Sequence, residues 1–286
     1  MQCLVWGTDV HLEFADEASR SLFAKSIVNQ QADALLLTGD IANAKLIDRM
    51  LRALQKEIGI PIYFNMGNHD FYGGHISLGR SWAEEITASD VPLFWIEGLG
   101  VVELNSDVCL VGVDGWGDGQ LGNPRGSNVM LNDWDLIKEF AKEDALYNRE
   151  ARAKLLRRYG DRAGEAIRLT LRKALPKYKR VLLMTHVPPW KEATWHEGAH
   201  SDGDWLPWFS CKAVGDAIVE ESAKHPDCKV TVICGHTHGN GISKINDQIE
   251  ATQAAPSIAA PVCNVHLTCR AEIVRVGSNN WFTTGY

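Results

Sequence analysis

Short apolar runs recur along this chain, and segments of helical spacing separate them. Cys3–Trp6, Ala34–Leu37 and Ile60–Phe64 read as strands. Between them lie a helix from about Ser19 to Gln30 and another from Lys45 to Ile58. In the second, Leu46, Ile47, Met50, Leu51 and Leu54 recur at helical spacing, and Gly59 ends the segment. Strand, helix, strand, helix, strand at short spacing argues for right-handed crossovers onto a mainly parallel sheet. The class is therefore α/β. Further on, Ile76–Ala88 reads as a helix, and Val101–Leu104 and Val108–Val113 as strands turning at Asn105-Ser106-Asp107. A glycine-rich irregular stretch then runs to Asn132, and loops of that length are usually functional. Trp134–Tyr159 reads as a long helix with a solvated face, broken at Gly160-Asp161 before a second helix from Gly164 to Leu175. Val181–Met184 and Val230–Cys234 are two more buried strands, with a helix from Lys212 to Lys224 between them. The tail holds short strands and a hairpin around Asn246-Asp247.

What sets these strands apart is how they end. The first gives out into Asp9-Val10-His11, the second into Gly39-Asp40, and the third into Gly67-Asn68-His69-Asp70. Val181–Met184 ends in Thr185-His186, and Val230–Cys234 in Gly235-His236-Thr237-His238. Side chains two apart on an extended segment point the same way, so Asp9 and His11, and His236 and His238, can each reach one point. Each piece alone is ordinary: Asp40 is a reasonable helix cap, His186 a packed histidine, Gly-Asn and His-Asp common turn pairs. Together they are not, because open α/β sheets gather ligands outside the carboxyl ends of their strands. Two carboxylates, one amide oxygen and five imidazoles suit two borderline divalent ions such as manganese, iron or zinc.

With 286 residues, the chain is long enough for one large α/β domain or two smaller ones; with no evident domain linker it reads as one domain over 1–286, with a loop and helical insertion at about 115–165. The net charge of -7 argues against non-specific nucleic-acid binding, and no strongly basic run supports a nuclease. A phosphate substrate is still compatible, since bound cations reverse the local field. The start of the chain has no basic leader, and no stretch approaches the roughly 20 apolar residues that span a membrane. The seven cysteines are odd in number, and Cys3, Cys109 and Cys234 sit in apolar runs as buried thiols. These features point to a reducing, cytoplasmic setting. Cys263-x-x-His266-x-x-Cys269 lacks an evident fourth ligand and alternates like a strand, so it reads as structure and not as a zinc site.

The five strand ends resemble the motif set of the calcineurin-like metallophosphoesterases. That set is Asp-x-His, Gly-Asp, Gly-Asn-His-Asp/Glu, a His, and Gly-His-x-His, and all five blocks occur here in order between residues 9 and 238. The resemblance implies a four-layer αββα sandwich, two facing sheets between helices. It also implies that Asp9, His11 and His238 hold one metal, that Asn68, His186 and His236 hold the other, and that Asp40 bridges both. Two metals roughly 3.5–4 Å apart can clamp the attacking and leaving oxygens of an in-line displacement at phosphorus and activate water. By the same resemblance, His69 is free of metal and serves the leaving group, either as its acid or by stabilising its charge. Its structural alternative is to orient Asn68 or the loop.

Departures narrow the subclass. Many relatives place an acid three residues after the bridging Asp, where it pairs with the loop histidine; this chain has Asn43. Purple acid phosphatases carry a tyrosine there, and Asn43 speaks against that group. Asn43, Ala44 and Asp70 depart from the protein serine/threonine phosphatase pattern, which demotes a phosphoprotein substrate. The expected substrate is a small phosphate ester, most simply a phosphodiester or nucleotide. A phosphomonoesterase and a non-catalytic scaffold are the alternatives. Two loops should frame the metals and contact substrate. One carries Asp114, Trp116 and Arg125, the other Trp190 and His196 among four tryptophans in 190–208. The alternative for the tryptophans is that they pack on one another and on 134–175.

Overall fold

The computed structural model describes residues 2–142, 145, 147–257, 272–276 and 283–284. Strand β1 (Gln2–Gly7) leads through Asp16, whose side chain accepts from the Ser19 N–H, into helix α1 (Glu17–Asn29). Strand β2 (Ala34–Thr38), helix α2 (Ile47–Ile58) and strand β3 (Ile62–Asn65) follow. Helix α2 buries Ile47, Met50, Leu51, Leu54 and Ile58, a single stripe at helical spacing. Helix α3 (Ile76–Thr87) crosses to strand β4 (Leu93–Trp95), and one further turn, α4 (Ile96–Leu99), leaves it. The sequence gives no strand signal for β4, which is only three residues long and is preceded by Pro92.

Strands β5 (Val102–Asn105) and β6 (Val108–Gly112) form an antiparallel hairpin. Residues 113–132 are irregular, then come two short helices, α5 (Asp133–Leu136) and α6 (Lys138–Lys142). The single long helix expected over 134–159 is thus not formed. Helix α7 (Arg149–Ala174) instead runs unbroken for 26 residues through Gly160-Asp161, so the expected break is absent. Gly160 is there for space. A Cβ on it would lie 2.3 Å from the Asp118 Cβ, and one on Gly164 would lie 2.7 Å from the Ala213 carbonyl oxygen. Strand β7 (Arg180–Met184), the two-residue strands β8 (Trp195–His196) and β9 (Ala199–His200), helices α8 (Leu206–Phe209) and α9 (Lys212–Ser222), and strand β10 (Lys229–Cys234) come next. Strands β11 (Gly241–Lys244) and β12 (Ile249–Gln253) make the hairpin around Asn246-Asp247. Strand β13 (Glu272–Val276) returns antiparallel to β1 and pairs with β14 (Thr283–Thr284).

These strands form two six-stranded sheets, β14-β13-β1-β2-β3-β4 and β11-β12-β10-β7-β6-β5. Side-chain alternation shows how the sheets are layered. Leu4, Trp6, Leu36, Leu110, Leu182, Met184 and Ile233 share one apolar cluster, which is the layer between the sheets. Their neighbours Val5, Leu35 and Leu37 pack with Phe23, Ile27, Met50 and Leu54 of α1 and α2 on one outer face. Cys109, Val111, Val181, Leu183 and Val232 pack with Ile167, Leu171, Val214 and Ile218 of α7 and α9 on the other. The fold is therefore the four-layer αββα sandwich. The β1, β2 and β3 pairings are parallel and adjacent, as are β7 and β10, so their carboxyl ends meet at one edge. Among the described cysteines, Cys109, Cys211, Cys228 and Cys234 are buried, whereas Cys3 is only half-buried. Cys263, His266 and Cys269 lie outside the described residues. No helix among the described residues is long and apolar enough to cross a membrane.

Candidate metal centre

The parallel registers bring Asp9, Asp40 and Asn68 from one sheet against His186, His236 and His238 from the other. Asp9, His11, Asp40 and His238 offer donor atoms all within 4.8 Å of one another, and so do Asp40, His186 and His236. Asp40 belongs to both groups. His238 Nε2 lies 3.3 Å from Asp9 Oδ1, and His11 Nε2 lies 3.9 Å from Asp40 Oδ2.

The backbone is strained to achieve this. Among the described residues, seven non-glycine positions have positive φ, and five of them are Asp9, His11, Asp40, His236 and His238. Such conformations cost of order 1–3 kcal/mol each and persist where the surroundings over-determine them. Close approach adds a second constraint: a Cβ on Gly67 would fall 2.2 Å from Asp40 Oδ1. Hydrogen bonds hold the carboxylates in place. Thr8 Oγ1 and the His236 N–H donate to Asp9, and the His69 N–H donates to Asp40 Oδ1 at 2.9 Å. Asp70, fully buried, accepts from the N–H groups of Ile41, Ala42 and Gly67 and so ties the second block to the third.

The donor chemistry fits a cation. The His186 Nδ1–H donates to the Thr38 carbonyl at 2.8 Å, and the His236 Nε2–H donates to the Trp208 carbonyl at 3.2 Å. A carbonyl only accepts, so the opposite ring nitrogens face the centre. His186 Nε2 there meets Asp40 Oδ1 at 3.4 Å, Asn68 Oδ1 at 3.3 Å and His236 Nδ1 at 3.1 Å. One proton on Nε2 can satisfy one of these three acceptors; a metal ion can satisfy them all. The charge balance agrees. Burial alone would depress the His186 imidazole, but the Asp40 carboxylate beside it raises it to about 10. Burial and the neighbouring His186 push His236 down to about 3, which keeps its imidazole neutral. Burial opposes ionisation of Asp9 and Asp40, yet the surrounding histidines hold both carboxyls well below the usual range. Two buried anions among imidazoles form a cation-binding field.

His69 stands at the rim. Its ring stacks on Tyr72 with centroids 4.2 Å apart, and Nε2 lies 4.0 Å from Asp40 Oδ2. Burial depresses its pKa below the ordinary histidine value. Glu13, His11 and His69 form a third close group, and Glu13 Oε1 accepts from the Asn43 N–H at 3.1 Å.

Above the centre lies an open cavity of about 540 Å³. Asp40, Asn68, His69, His236 and His238 line its floor, with Tyr72, Met130, Leu131, Asp133, His196, His200, Asp202, Trp205 and Phe209 around its sides. Of the residues expected at substrate, His196 is there, with its Nδ1–H donating to the Thr237 carbonyl. The others are elsewhere. Asp114 is buried, accepts from the Met66 N–H and Trp95 Nε1, and pairs with Arg80, joining the ends of the two sheets. Trp116 packs among Phe71, Phe140 and Tyr159. Arg125 is exposed away from the cavity, and Trp190 packs against the core under α9. Trp208 and Trp134 enclose the buried Arg152 guanidinium. Among the described tryptophans only Trp205 lines the cavity; it is 40% exposed, with its ring 4.9 Å from Phe209. Nothing in their local sequence marks Tyr72 and Asp133 as part of the site. The acid in Asn132-Asp133-Trp134 resembles an ordinary helix start, and only tertiary contact makes it part of the site.

Solved structures share this architecture. A dimetal phosphatase from Danio rerio superposes with a TM-score of 0.63 and 15% identity, covering 99% of this chain and 95% of that one. A phosphopantetheinyl hydrolase from Mycobacterium tuberculosis gives 0.60 at 14% identity over 88% and 89%. An anchor in the inner membrane complex of Plasmodium gives 0.52 at 13% identity over 99% and 84%. At these identities the likeness is one of fold. No curated protein matches the chain in sequence. The family model of the calcineurin-like phosphoesterases, however, matches residues 8–240, which takes in every strand end that carries a metal-type ligand, and the chain belongs to that family.

Proposed function

We propose that this protein is a binuclear-metal-dependent hydrolase of a small phosphodiester that carries a flat apolar group. The observation that carries the metal-dependent part is the convergence of two groups of metal-type donor atoms on Asp40 beneath the cavity. Asp9, His11 and His238 would hold one ion, Asn68, His186 and His236 the other, and Asp40 would serve both. Manganese, iron and zinc suit this nitrogen and oxygen set. Two such ions supply Lewis-acid polarisation of the phosphoryl group and neutralise charge in the displacement.

The chain's own groups divide the remaining work. His69 sits where it can give a proton to, or stabilise charge on, the departing oxygen. Trp205 and Phe209 offer a flat apolar wall for the alcohol or base. The preference for a diester rests on charge. No lysine or arginine is among the described residues lining the cavity, while Asp133 and Asp202 are. A diester brings one negative charge and a monoester two, so the diester is better matched to a lining with no cationic side chains. Free thiols at five described cysteines support a reducing, cytoplasmic location.

The test is metal analysis of the purified protein, paired with hydrolysis of a chromogenic aryl phosphodiester and its monoester. We expect two equivalents of metal and a higher kcat/KM on the diester. Preference for the monoester would reassign the substrate class, and full metal content with no turnover of either ester would favour a scaffold.

A further inference from the structure

Asn68 can serve a metal only through its oxygen, so something must choose which end of the amide faces the centre. Asn68 Nδ2 donates to Asp133 Oδ1 at 2.9 Å while Oδ1 faces His186 Nε2. The Tyr72 hydroxyl donates to the same Asp133 oxygen at 2.7 Å, and Tyr72 Oη lies 3.3 Å from Asn68 Nδ2. Asp133 is 4% exposed and stands 65 residues away in sequence. A flipped amide would turn its NH2 toward the imidazoles and leave a buried carboxylate facing a carbonyl oxygen. Both changes are costly, because buried polar groups that lose their partners pay the full desolvation penalty.

We propose that Asp133 is a positioning residue for one metal only, the ion held by Asn68, His186 and His236. It sets the amide's orientation and so the affinity of that position, leaving the Asp9, His11 and His238 position unaffected. The proposal rests on the metal-centre reading and is independent of which ester is cleaved. Outer partners of metal ligands typically contribute about 10–100-fold in affinity.

The experiment is calorimetric titration of the chelator-stripped full chain with Mn2+ alone, with the circular dichroism spectrum recorded for each variant. Asp133→Leu should weaken one of two sites by about 10–100-fold and leave the other unchanged. Asp133→Asn keeps an oxygen that can accept from Asn68, so it should restore most of the loss. In an Asn68→Ala background, Asp133→Leu should cost nothing more, because the group it orients is gone. Equal weakening of both sites, or a full additional loss in that background, would show that Asp133 merely supports the fold and overturn the proposal. Should Asp133→Leu fail to fold, Tyr72→Phe decides between the same two outcomes. It removes one of the two donors to Asp133, and should weaken the same single site by a smaller factor. Wild-type protein that takes up no Mn2+ would overturn the metal centre itself, and the inference with it.

Discussion

At the scale of single residues, Asp40 joins what would otherwise be two separate ligand groups. Its carboxylate is buried, accepts from the His69 N–H, and faces His11, His69 and His186 at once. Asp40→Ala should therefore strip metal from both positions and abolish hydrolysis while the fold survives. Metal analysis and an unchanged circular dichroism spectrum check this, and retention of two metals with full activity would refute the ligand assignment. His69 behaves differently, since it is a rim residue outside the two ligand groups around Asp40. His69→Ala should keep both metals and lose about 10²–10⁴-fold in kcat on alkyl esters, as for a lost general acid. The loss should shrink on activated aryl esters, whose leaving groups need no proton. Equal losses on both would assign His69 to phosphate positioning. Trp205 is a third case, because it touches the cavity and no ligand. Stacking a base on an aromatic ring is worth about 1–3 kcal/mol. Trp205→Ala should accordingly raise KM for a nucleotide-like substrate by roughly 5- to 150-fold, with little change on a small aryl diester. Trp116, Trp190, Trp195 and Trp208 face away from the cavity, and alanine there should lower stability before it changes substrate preference.

At the scale of elements, α7 shows a local rule overridden by packing. Gly160-Asp161 reads as a helix break, and glycine inside a helix costs about 0.5–1 kcal/mol relative to alanine. The helix nevertheless continues, because Asp118 lies directly over Gly160 and accepts from the Ala213 N–H at the start of α9. Gly164, one turn on, lets α9 approach in the same way. Gly160→Ala should thus destabilise, against helix propensity, by about 1–3 kcal/mol of overpacking. In a chain of this size that is a fall in Tm of roughly 2–5 °C by calorimetry. Lys154→Ala, on the exposed side of the same helix, should shift stability by less than about 0.5 kcal/mol. A rise in Tm for Gly160→Ala would mean that the Asp118 contact yields.

At the scale of the whole molecule, the candidate metal centre stands between two sheets that share one apolar layer. Three of the strand ends that carry candidate ligands come from one sheet and two from the other, so bound metal would link them. Metal at 100-fold over Kd stabilises by about 2.7 kcal/mol per site. Calorimetric scans with and without a chelator should show a higher Tm in Mn2+, and Asp40→Ala should remove most of that difference. An identical Tm in both conditions, at saturating metal, would place the binding elsewhere.

The sequence by itself determined the α/β class, the main strands and the five strand ends whose polar side chains gather at one edge. Those features are local. A four-residue apolar run and the loop after it are written in adjacent residues. Asp9-x-His11 and His236-x-His238 were legible as residue pairs after strands, but not through an extended period of two: all four residues have positive φ, and His236 and His238 belong to different donor groups. Tertiary structure alone decided which aromatic faces the cavity, since Trp205 and Trp208 lie three residues apart and one is open while the other is buried over Arg152. It also decided that Asp114 is a structural carboxylate and that Asp133 reaches Asn68. Such contacts join segments 48 and 65 residues apart, as Met66 to Asp114 and Asn68 to Asp133, and no periodicity within either segment encodes them. They follow from how two twisted sheets stack and where the loops between them come to rest.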